Sequence, residues 1–325
     1  MTLVRRQLLQ IAAGAAALPI ASHFARADAF PDRPVHVVIG FPPGGIGSFT
    51  VGLIGESFQQ KLGQPLVVDY HPGAGGNIGT ALATKAAADG YTILSTSPSN
   101  AISATLYKNL PFDFIRDMAM VAGIIRAPLV LLTNPSFEAK SLSDLIAYAK
   151  ANPGKLNMAS SGNGSTPHLA GELFKMMTGL AMVHVPYAGE APALADLIAG
   201  RTQVMFANVT SAIGFIRDRR LRALAVTAAT ASPALPGILP IASAVPGYDV
   251  SAWYALSAPR ATPAATITTL NKAINASLAE PAIVNRIIEV GGAPMVQSPS
   301  ELDAFVVAET KKWAEVVRFS GAQVD

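Results

Sequence analysis

The stretch from Pro34 to Ser48, PVHVVIGFPPGGIGS, passes from an apolar strand through a glycine-rich loop to the start of a helix. Its first residues are mostly branched and apolar, as is typical of a buried strand. Beyond the loop, apolar residues recur at helical spacing from Val51 to Phe58, and the pattern ends at Gly63. This order of strand, loop and helix predicts one unit of a parallel α/β sheet.

The same order recurs further along the chain. A strand at 66–68 leads into the loop at 73–77 and then a helix, and a strand at 156–159 leads into the loop at 160–165. Thr166 can cap the helix that follows, with Pro167 in its first turn. With 325 residues, of which 50% are hydrophobic, the chain is long enough for two such α/β domains.

Glycine-rich loops at 42–48, 73–77 and 161–165 each connect a strand to a helix. In open α/β sheets such loops lie at the carboxyl ends of the strands, where ligands bind. The free N–H groups of a helix N-terminus carry positive partial charge and attract anions. One such loop alone would favour a simple tight turn. Three of them in two sheet units predict a cleft whose backbone amides bind a carboxylate.

The first 27 residues have the pattern of a cleaved signal peptide. Arg5 and Arg6 precede an apolar run at 11–21, and Ala25-Arg26-Ala27 fits the small-x-small cleavage pattern. The apolar run is far shorter than the roughly 20 residues that cross a bilayer. The paired arginines resemble a twin-arginine signal, and export by ordinary secretion is equally open. In either case we expect a periplasmic protein.

The charge balance of the remaining chain argues against a nucleic-acid partner. Of the 24 basic residues, three lie in the signal segment, so the rest of the chain has as many basic residues as its 21 acidic ones. The basic residues are scattered, apart from a short run at 217–222 that is typical of a solvated helix end.

No motif predicts a cofactor or a metal site. The glycine loops lack the Gly-Lys-Ser/Thr of a Walker A loop, and Ile78 occupies the position where a dinucleotide-binding loop needs its third glycine. The chain contains no cysteine, which excludes thiol catalysis and cysteine-type zinc sites. His168 and Glu172 lie four residues apart on one predicted helix, a spacing that favours a hydrogen bond over a shared metal.

The enzymatic alternative is an exported Ser/His hydrolase, because hydroxyls and an imidazole lie close together at Ser160, Ser161, Ser165 and His168. No serine has a glycine two residues away on both sides, as a nucleophile elbow requires. Ser161 and Ser165 are therefore interpreted as hydrogen-bond donors to a ligand. Trp253 and Tyr254 lie in a predicted strand at 250–257, where core or hinge packing and stacking on a ligand are both open.

Several motifs extend over nearly the whole chain beyond residue 27, in the order FPDRP (30–34), GFPPGG (40–45), PGAGGNIG (72–79), DGY (89–91), NMASSGNGSTPHLAGELF (157–174), VHVPY (183–187) and LRALAV (221–226). Together they resemble the Bug-type receptors of tripartite tricarboxylate transporters. The resemblance implies a non-enzymatic solute-binding protein that captures a small carboxylate and delivers it to integral-membrane permease subunits. We expect a monomer. A ligand-sensing domain that reports to a signalling partner is a further alternative.

The resemblance also implies the α/β fold of type II periplasmic binding proteins, with two domains that are each a mainly parallel sheet flanked by helices. After the signal peptide at 1–27, one domain contains 28–130 and 250–325, and the other contains 131–249. The ligand lies between them. The residues implied to contact it are Phe41, Gly44, Gly45, Ile46, Ser48, Ala74, Gly75, Gly76, Asn77, Ser97, Ser99, Ser161, Gly162, Asn163, Gly164, Ser165, Thr166, His168, Tyr187 and Asn208.

Two positions depart from the family pattern in a way that concerns ligand charge. Ser48 and Ala207 occupy positions where members of the family often have aspartate. An acidic side chain near the loops would favour a ligand with an ammonium group, and its loss lowers the electrostatic cost of a second ligand carboxylate. We therefore expect a mono- or dicarboxylate without an amino group.

Overall fold

A computed structural model describes residues 30–324, so the predicted signal peptide lies outside the described residues. The strands are β1 Val35–Ile39, β2 Leu66–Tyr70, β3 Thr92–Thr96, β4 Met118–Thr133, β5 Leu156–Ser160, β6 Met182–Pro186, β7 Val204–Asn208, β8 Arg222–Val226, β9 Ser251–Pro259 and β10 Ala293–Pro294. The helices are α1 Ile46–Leu62, α2 Asn77–Thr84, α3 Pro98–Leu106, α4 Phe114–Asp117, α5 Leu142–Ala151, α6 Thr166–Thr178, α7 Glu190–Ile198, α8 Val209–Arg217, α9 Ala264–Leu278, α10 Pro281–Glu289 and α11 Pro299–Ser320.

The strands form one 10-stranded sheet in the order β2-β1-β3-β9-β4-β7-β5-β6, and β8 and β10 also pair with β4. The sheet has two halves because β4, with 16 residues, passes from one to the other. Met118–Pro128 pairs with β9, whereas Leu129–Thr133 pairs with β7 on one side and β8 on the other. A single strand therefore takes part in both halves of the sheet.

The predicted α/β class is confirmed, but each half of the sheet is mixed rather than mainly parallel. Parallel pairing joins β1 to both β2 and β3 in the first half, and β5 to both β6 and β7 in the second. The crossing strands β4 and β9 run antiparallel to each other and to their neighbours β7 and β3. The physical reason is that the chain leaves the first half along β4 and returns along β9, so the two directions must oppose each other.

Thr227, which directly follows β8, joins the crossing strands where the two halves meet. Its buried hydroxyl accepts a hydrogen bond from the Leu129 N–H at 2.7 Å and lies 2.7 Å from the Val250 carbonyl oxygen. The backbone N–H of Thr227 donates to the Leu129 carbonyl, and the Val250 N–H donates to the Thr227 carbonyl. One residue therefore satisfies the backbone groups of both strands at the junction.

The C-terminal helix α11 packs against both halves, because it contacts α3 of the first and α6 of the second. Its Glu309 carboxylate, only 7% exposed, accepts hydrogen bonds from the indole N–H groups of Trp253 on β9 and Trp313. Ser298 caps this helix in a capping box with Glu301. At α6, in contrast, the cap is Ser165 rather than the predicted Thr166, since the Ser165 hydroxyl accepts the His168 N–H.

Candidate ligand-binding cleft

A cavity of about 650 Å³ is lined by residues from both halves of the sheet. The loop after β1 contributes residues 41–48, and the loop between β5 and α6 contributes Ser161 and residues 164–167. Ala252 and Tyr254 of the crossing strand β9 also line it. The site therefore lies beside the crossing strands, between the two parallel strand groups.

Several helices begin at this cavity, and the residue that caps each of them lines it: Gly45 of α1, Ser97 of α3, Ser165 of α6, Gly189 of α7 and Asn208 of α8. The positive end of a helix dipole attracts anions, and several such ends around one cavity reinforce each other. Gly45 has no side chain to cap α1, so the first-turn N–H groups of that helix are free to bind an anion.

Glu190, the first residue of α7, is an acidic residue in the cavity wall that the sequence analysis did not predict. Its carboxylate accepts hydrogen bonds from the backbone N–H of Asn208 at 2.6 Å, from the Asn208 side-chain amide at 2.9 Å and from the Ser211 hydroxyl at 3.0 Å. Burial raises the pKa of Glu190 above its usual value, although the hydrogen bonds from Asn208 and Ser211 oppose that shift.

A second cavity of about 420 Å³ adjoins the first and shares Glu190, Asn208 and Tyr254 with it. These three residues therefore lie where the two cavities meet. Ala207, one of the two positions used in the charge argument, is fully buried and lines neither cavity. Glu190 also supplies the cavity with a carboxylate from a position that the charge argument did not consider.

His168 lies behind the loop between β5 and α6 rather than in the cavity wall. It is only 4% exposed, and its Nδ1 accepts the Gly164 N–H at 3.1 Å. Its ring stacks on His184 of β6, with the ring centroids 3.7 Å apart. The Nε2 atom of His184 is in turn 2.6 Å from the Ser160 hydroxyl. The two imidazoles therefore support the loop from behind.

A buried ion pair completes this network. Glu172 is 2% exposed, and its carboxylate accepts two hydrogen bonds of 2.9 Å from Lys175 and approaches Nε2 of His168 at 3.6 Å. Burial alone would raise the pKa of Glu172, but the contacts with His168 and Lys175 outweigh it and leave that pKa below its usual value. Burial, together with the neighbouring His168, lowers the pKa of His184 to about 4, so this imidazole is neutral near pH 7.

This arrangement does not have the geometry of a serine hydrolase. Ser160, the serine that contacts an imidazole, is fully buried, so its hydroxyl cannot reach a substrate in the cavity. Ser161 and Ser165 do line the cavity, but the Ser165 hydroxyl donates to the Gly162 carbonyl and accepts the His168 N–H. Neither hydroxyl is activated by a histidine among the described residues.

Most of the residues predicted to contact the ligand line the cavity: Phe41, Gly44, Gly45, Ile46, Ser48, Ser97, Ser99, Ser161, Gly164, Ser165, Thr166 and Asn208. The others lie outside its wall: Ala74, Gly75, Gly76, Asn77, Gly162, Asn163, His168 and Tyr187. The loop at 74–77 packs behind the first loop, and a Cβ on Gly40 would lie 2.7 Å from the Gly76 backbone. Asn163 is exposed, and the Tyr187 hydroxyl donates to Asp196.

The comparison with known proteins identifies the family. A family model described as the tripartite tricarboxylate transporter family receptor matches residues 52–321. The chain belongs to this receptor family. It is 37% identical to the protein BugT of Bordetella pertussis over 301 residues, which cover 92% of each chain. In the part of this receptor that the structure describes, no helix is long and apolar enough to span a membrane.

Solved structures of similar proteins confirm the receptor fold. The structure of R. palustris Rpa4515 with adipate matches with a TM-score of 0.80 and 35% identity, covering 91% of this chain and 100% of that one. MatC from Rhodopseudomonas palustris with bound malate matches with a TM-score of 0.75 and 29% identity, covering 89% of this chain and 100% of that one. These matches support the two-domain α/β fold that the sequence predicts.

Proposed function

We propose that this receptor captures a small carboxylate in the cavity and delivers it to the permease subunits of a tripartite transporter. The observation that carries the proposal is the convergence of several helix N-termini on one cavity, with the first-turn amides of α1 uncapped. The similar proteins with adipate and malate hold ligands of this class. The residues that contact the carboxylate are those predicted ones that line the cavity, with the loop at 44–48 and the segment 164–166 as its main donors.

A thermal-shift screen of small organic acids tests this function. A ligand at about 100 times its Kd adds about 2.7 kcal/mol to the free energy of unfolding. At about 2 to 4 °C per kcal/mol, the Tm rises by about 5 to 10 °C. Uncharged sugars are the control class and leave the Tm unchanged. A sugar as the best ligand, or no response to any acid, contradicts the proposal.

The receptor closes around its ligand by rotation of two domains, residues 28–130 plus 250–325 and residues 131–249. Support comes from β4, which changes its pairing partners at Pro128–Leu129, and from Thr227, which joins both crossing strands there. Small-angle scattering tests the closure, since the radius of gyration decreases when a verified carboxylate ligand saturates the protein. An unchanged radius at saturation contradicts it.

The protein binds its ligand as a periplasmic monomer without converting it, after cleavage behind Ala27. The buried position of Ser160 supports binding without chemistry.

Intact-mass analysis of the exported protein tests the cleavage site, and light scattering tests the monomer. Recovery of unchanged ligand after long incubation tests the absence of turnover, and conversion that disappears in Ser161→Ala would instead establish a hydrolase. Co-purification with a permease, rather than with a signalling protein, separates transport from sensing.

A further inference from the structure

Glu190 is an acidic side chain in the wall of a cavity at which the positive ends of several helices converge. No Lys, Arg or His side chain among the described residues lies within 4.0 Å of its carboxylate, so its charge is not balanced by an ion pair. Glu190 occupies three donors at the start of α8, which are the backbone N–H and the side-chain amide of Asn208 and the Ser211 hydroxyl. A ligand carboxylate on this side of the cavity therefore meets an anion.

The hydrogen-bonding capacity of Glu190 is not exhausted. An ionised carboxylate has about four acceptor positions, two on each oxygen. Oε2 receives the Asn208 amide and the Ser211 hydroxyl, whereas Oε1 receives only the Asn208 backbone N–H. One acceptor position on Oε1 is therefore left, on a residue that lines both cavities.

Tyr254 supplies a second unused group at the same place. It lines both cavities, and its hydroxyl has no hydrogen-bond partner among the described residues. Burial and the nearby charge of Glu190 raise the pKa of Tyr254, so the phenol remains protonated. A phenol both donates and accepts, so this corner of the cavity offers one acceptor on Glu190 and one donor or acceptor on Tyr254.

We infer that the ligand is a carboxylate that also carries a hydrogen-bond donor, a hydroxyl or an ammonium group, which binds Oε1 of Glu190 beside Tyr254. This inference rests on the proposed function, and it specifies the substrate class of the same site. A hydroxyl donates to Glu190 and accepts from Tyr254, and an ammonium group also balances the unpaired charge. A ligand with a bare methylene there leaves a buried acceptor unsatisfied, and a second carboxylate there repels Glu190. This inference widens the expected ligand class, because it admits amino acids beside hydroxy acids.

Three matched series of probes test the inference, and within each series only one substituent changes from hydrogen to hydroxyl to amino. They are propionate, lactate and alanine; succinate, malate and aspartate; and phenylacetate, mandelate and phenylglycine. Isothermal titration calorimetry at neutral pH gives the Kd of each. In the series that fits the cavity, the hydroxy or amino acid binds about tenfold or more tightly than its unsubstituted parent, as a hydrogen bond to a charged group implies.

The variant Glu190→Gln tests whether Glu190 causes the preference for the hydroxy and amino acids. It keeps the side-chain shape and removes the charge, so the amino member loses about tenfold in affinity relative to its parent and the hydroxy member loses less. Glu289→Gln, at an exposed glutamate on α10, is the matched control and leaves all ratios unchanged. Tyr254→Phe removes only the phenol hydroxyl and lowers the preference for the hydroxy member alone. The Tm of each unliganded variant confirms that it is folded.

The outcomes separate the two proposals. Binding of parent and substituted acids with equal affinity, or a preference for the amino member that is unchanged in Glu190→Gln, overturns the inference and leaves carboxylate capture intact. Absence of binding by every member of all series contradicts the proposed function itself, and the inference is overturned with it.

Discussion

The two loops that face each other across the cavity present similar backbone donors on very different supports. The loop at 42–48 is mostly exposed, and its links to the rest of the chain include the hydrogen bond from the Tyr70 hydroxyl to Ser48. The loop at 160–165 rests on a buried network of His168, Glu172 and His184. The first loop can therefore adjust to a ligand, whereas the second holds its amides in a fixed position before any ligand arrives.

The largest loss of stability is expected when the buried network of His168, Glu172 and His184 is disrupted. Glu172→Ala removes a carboxylate that is 2% exposed and leaves Lys175 and His168 without their partner. Loss of one member of a buried ion pair costs about 3 kcal/mol of unfolding free energy. Urea denaturation measures this change. Ser48→Ala in the other loop is the matched control and costs less than about 0.5 kcal/mol. Equal costs would contradict the contrast between the two loops.

The same network gives the second loop a pH dependence. The pKa of His184 is lowered to about 4, so the folded protein binds fewer protons than the unfolded chain between pH 6.5 and about 4. Stability is therefore fully present above pH 6.5 and decreases as the pH falls through this window, by less than about 1.4 kcal/mol per pH unit.

Denaturation at a series of pH values tests this dependence, with His184→Gln as the comparison because it cannot titrate. Glu190 acts in the opposite direction, since its raised pKa means that stability from this group decreases as pH rises above 4.5. The double variant with Glu190→Gln separates the two contributions. A slope in wild type that persists unchanged in His184→Gln would show that other groups cause it.

A smaller effect is expected from glycine replacement in the two loops. Gly44 and Gly164 both have positive φ, at 86° and 71°, so alanine costs about 1 to 2 kcal/mol at either position. At Gly44 a Cβ would have nothing within 4 Å, but at Gly164 it would lie 2.2 Å from Cδ2 of Leu106. Gly164→Ala should therefore destabilise the protein by about 1 kcal/mol more than Gly44→Ala. Thermal denaturation of the two variants measures the difference, and equal Tm values would contradict it.

The pattern of strands and glycine loops was enough to predict the α/β class and two loops of the cavity wall, whereas Ser97, Ser99 and Asn208 were implied only by the resemblance to the receptor family. It could not show which side of a loop faces the ligand. The loop at 74–77 has the same composition as the others, but its close approach to Gly40 places it behind the first loop. Trp253 and Tyr254 illustrate the same limit, because adjacent strand residues point to opposite faces and only the register decides which face is the cavity. Trp253 is fully buried against Glu309, and Tyr254 lines the site.

Glu190 escaped prediction for a different reason. An acidic residue in the first turn of a helix is the ordinary choice for the helix dipole, so its sequence context gives no sign of a functional role. Its importance depends on the start of α8, which lies 18 residues further along the chain and supplies the donors that hold the carboxylate in the cavity wall. Such a contact between two helix N-termini depends on the tertiary fold and cannot be read from a local pattern.

The smallest expected change in stability, and the clearest conflict between stability and binding, is at Ser48. This residue is in the first turn of α1 and lines the cavity, so Ser48→Asp places a carboxylate at the positive end of the helix. The unliganded protein should gain about 0.5 kcal/mol of stability.

The same charge repels ligand carboxylates. A repulsion of about 1 kcal/mol per ligand charge weakens the binding of propionate about fivefold and that of succinate more. Ser48→Asn is the neutral control and should change neither quantity. The first loop is mostly exposed and has no titratable side chain of its own that could neutralise the new charge. Calorimetry and thermal denaturation of the same preparations measure both quantities, and a gain in succinate affinity would show that the ligand carboxylate does not lie near α1.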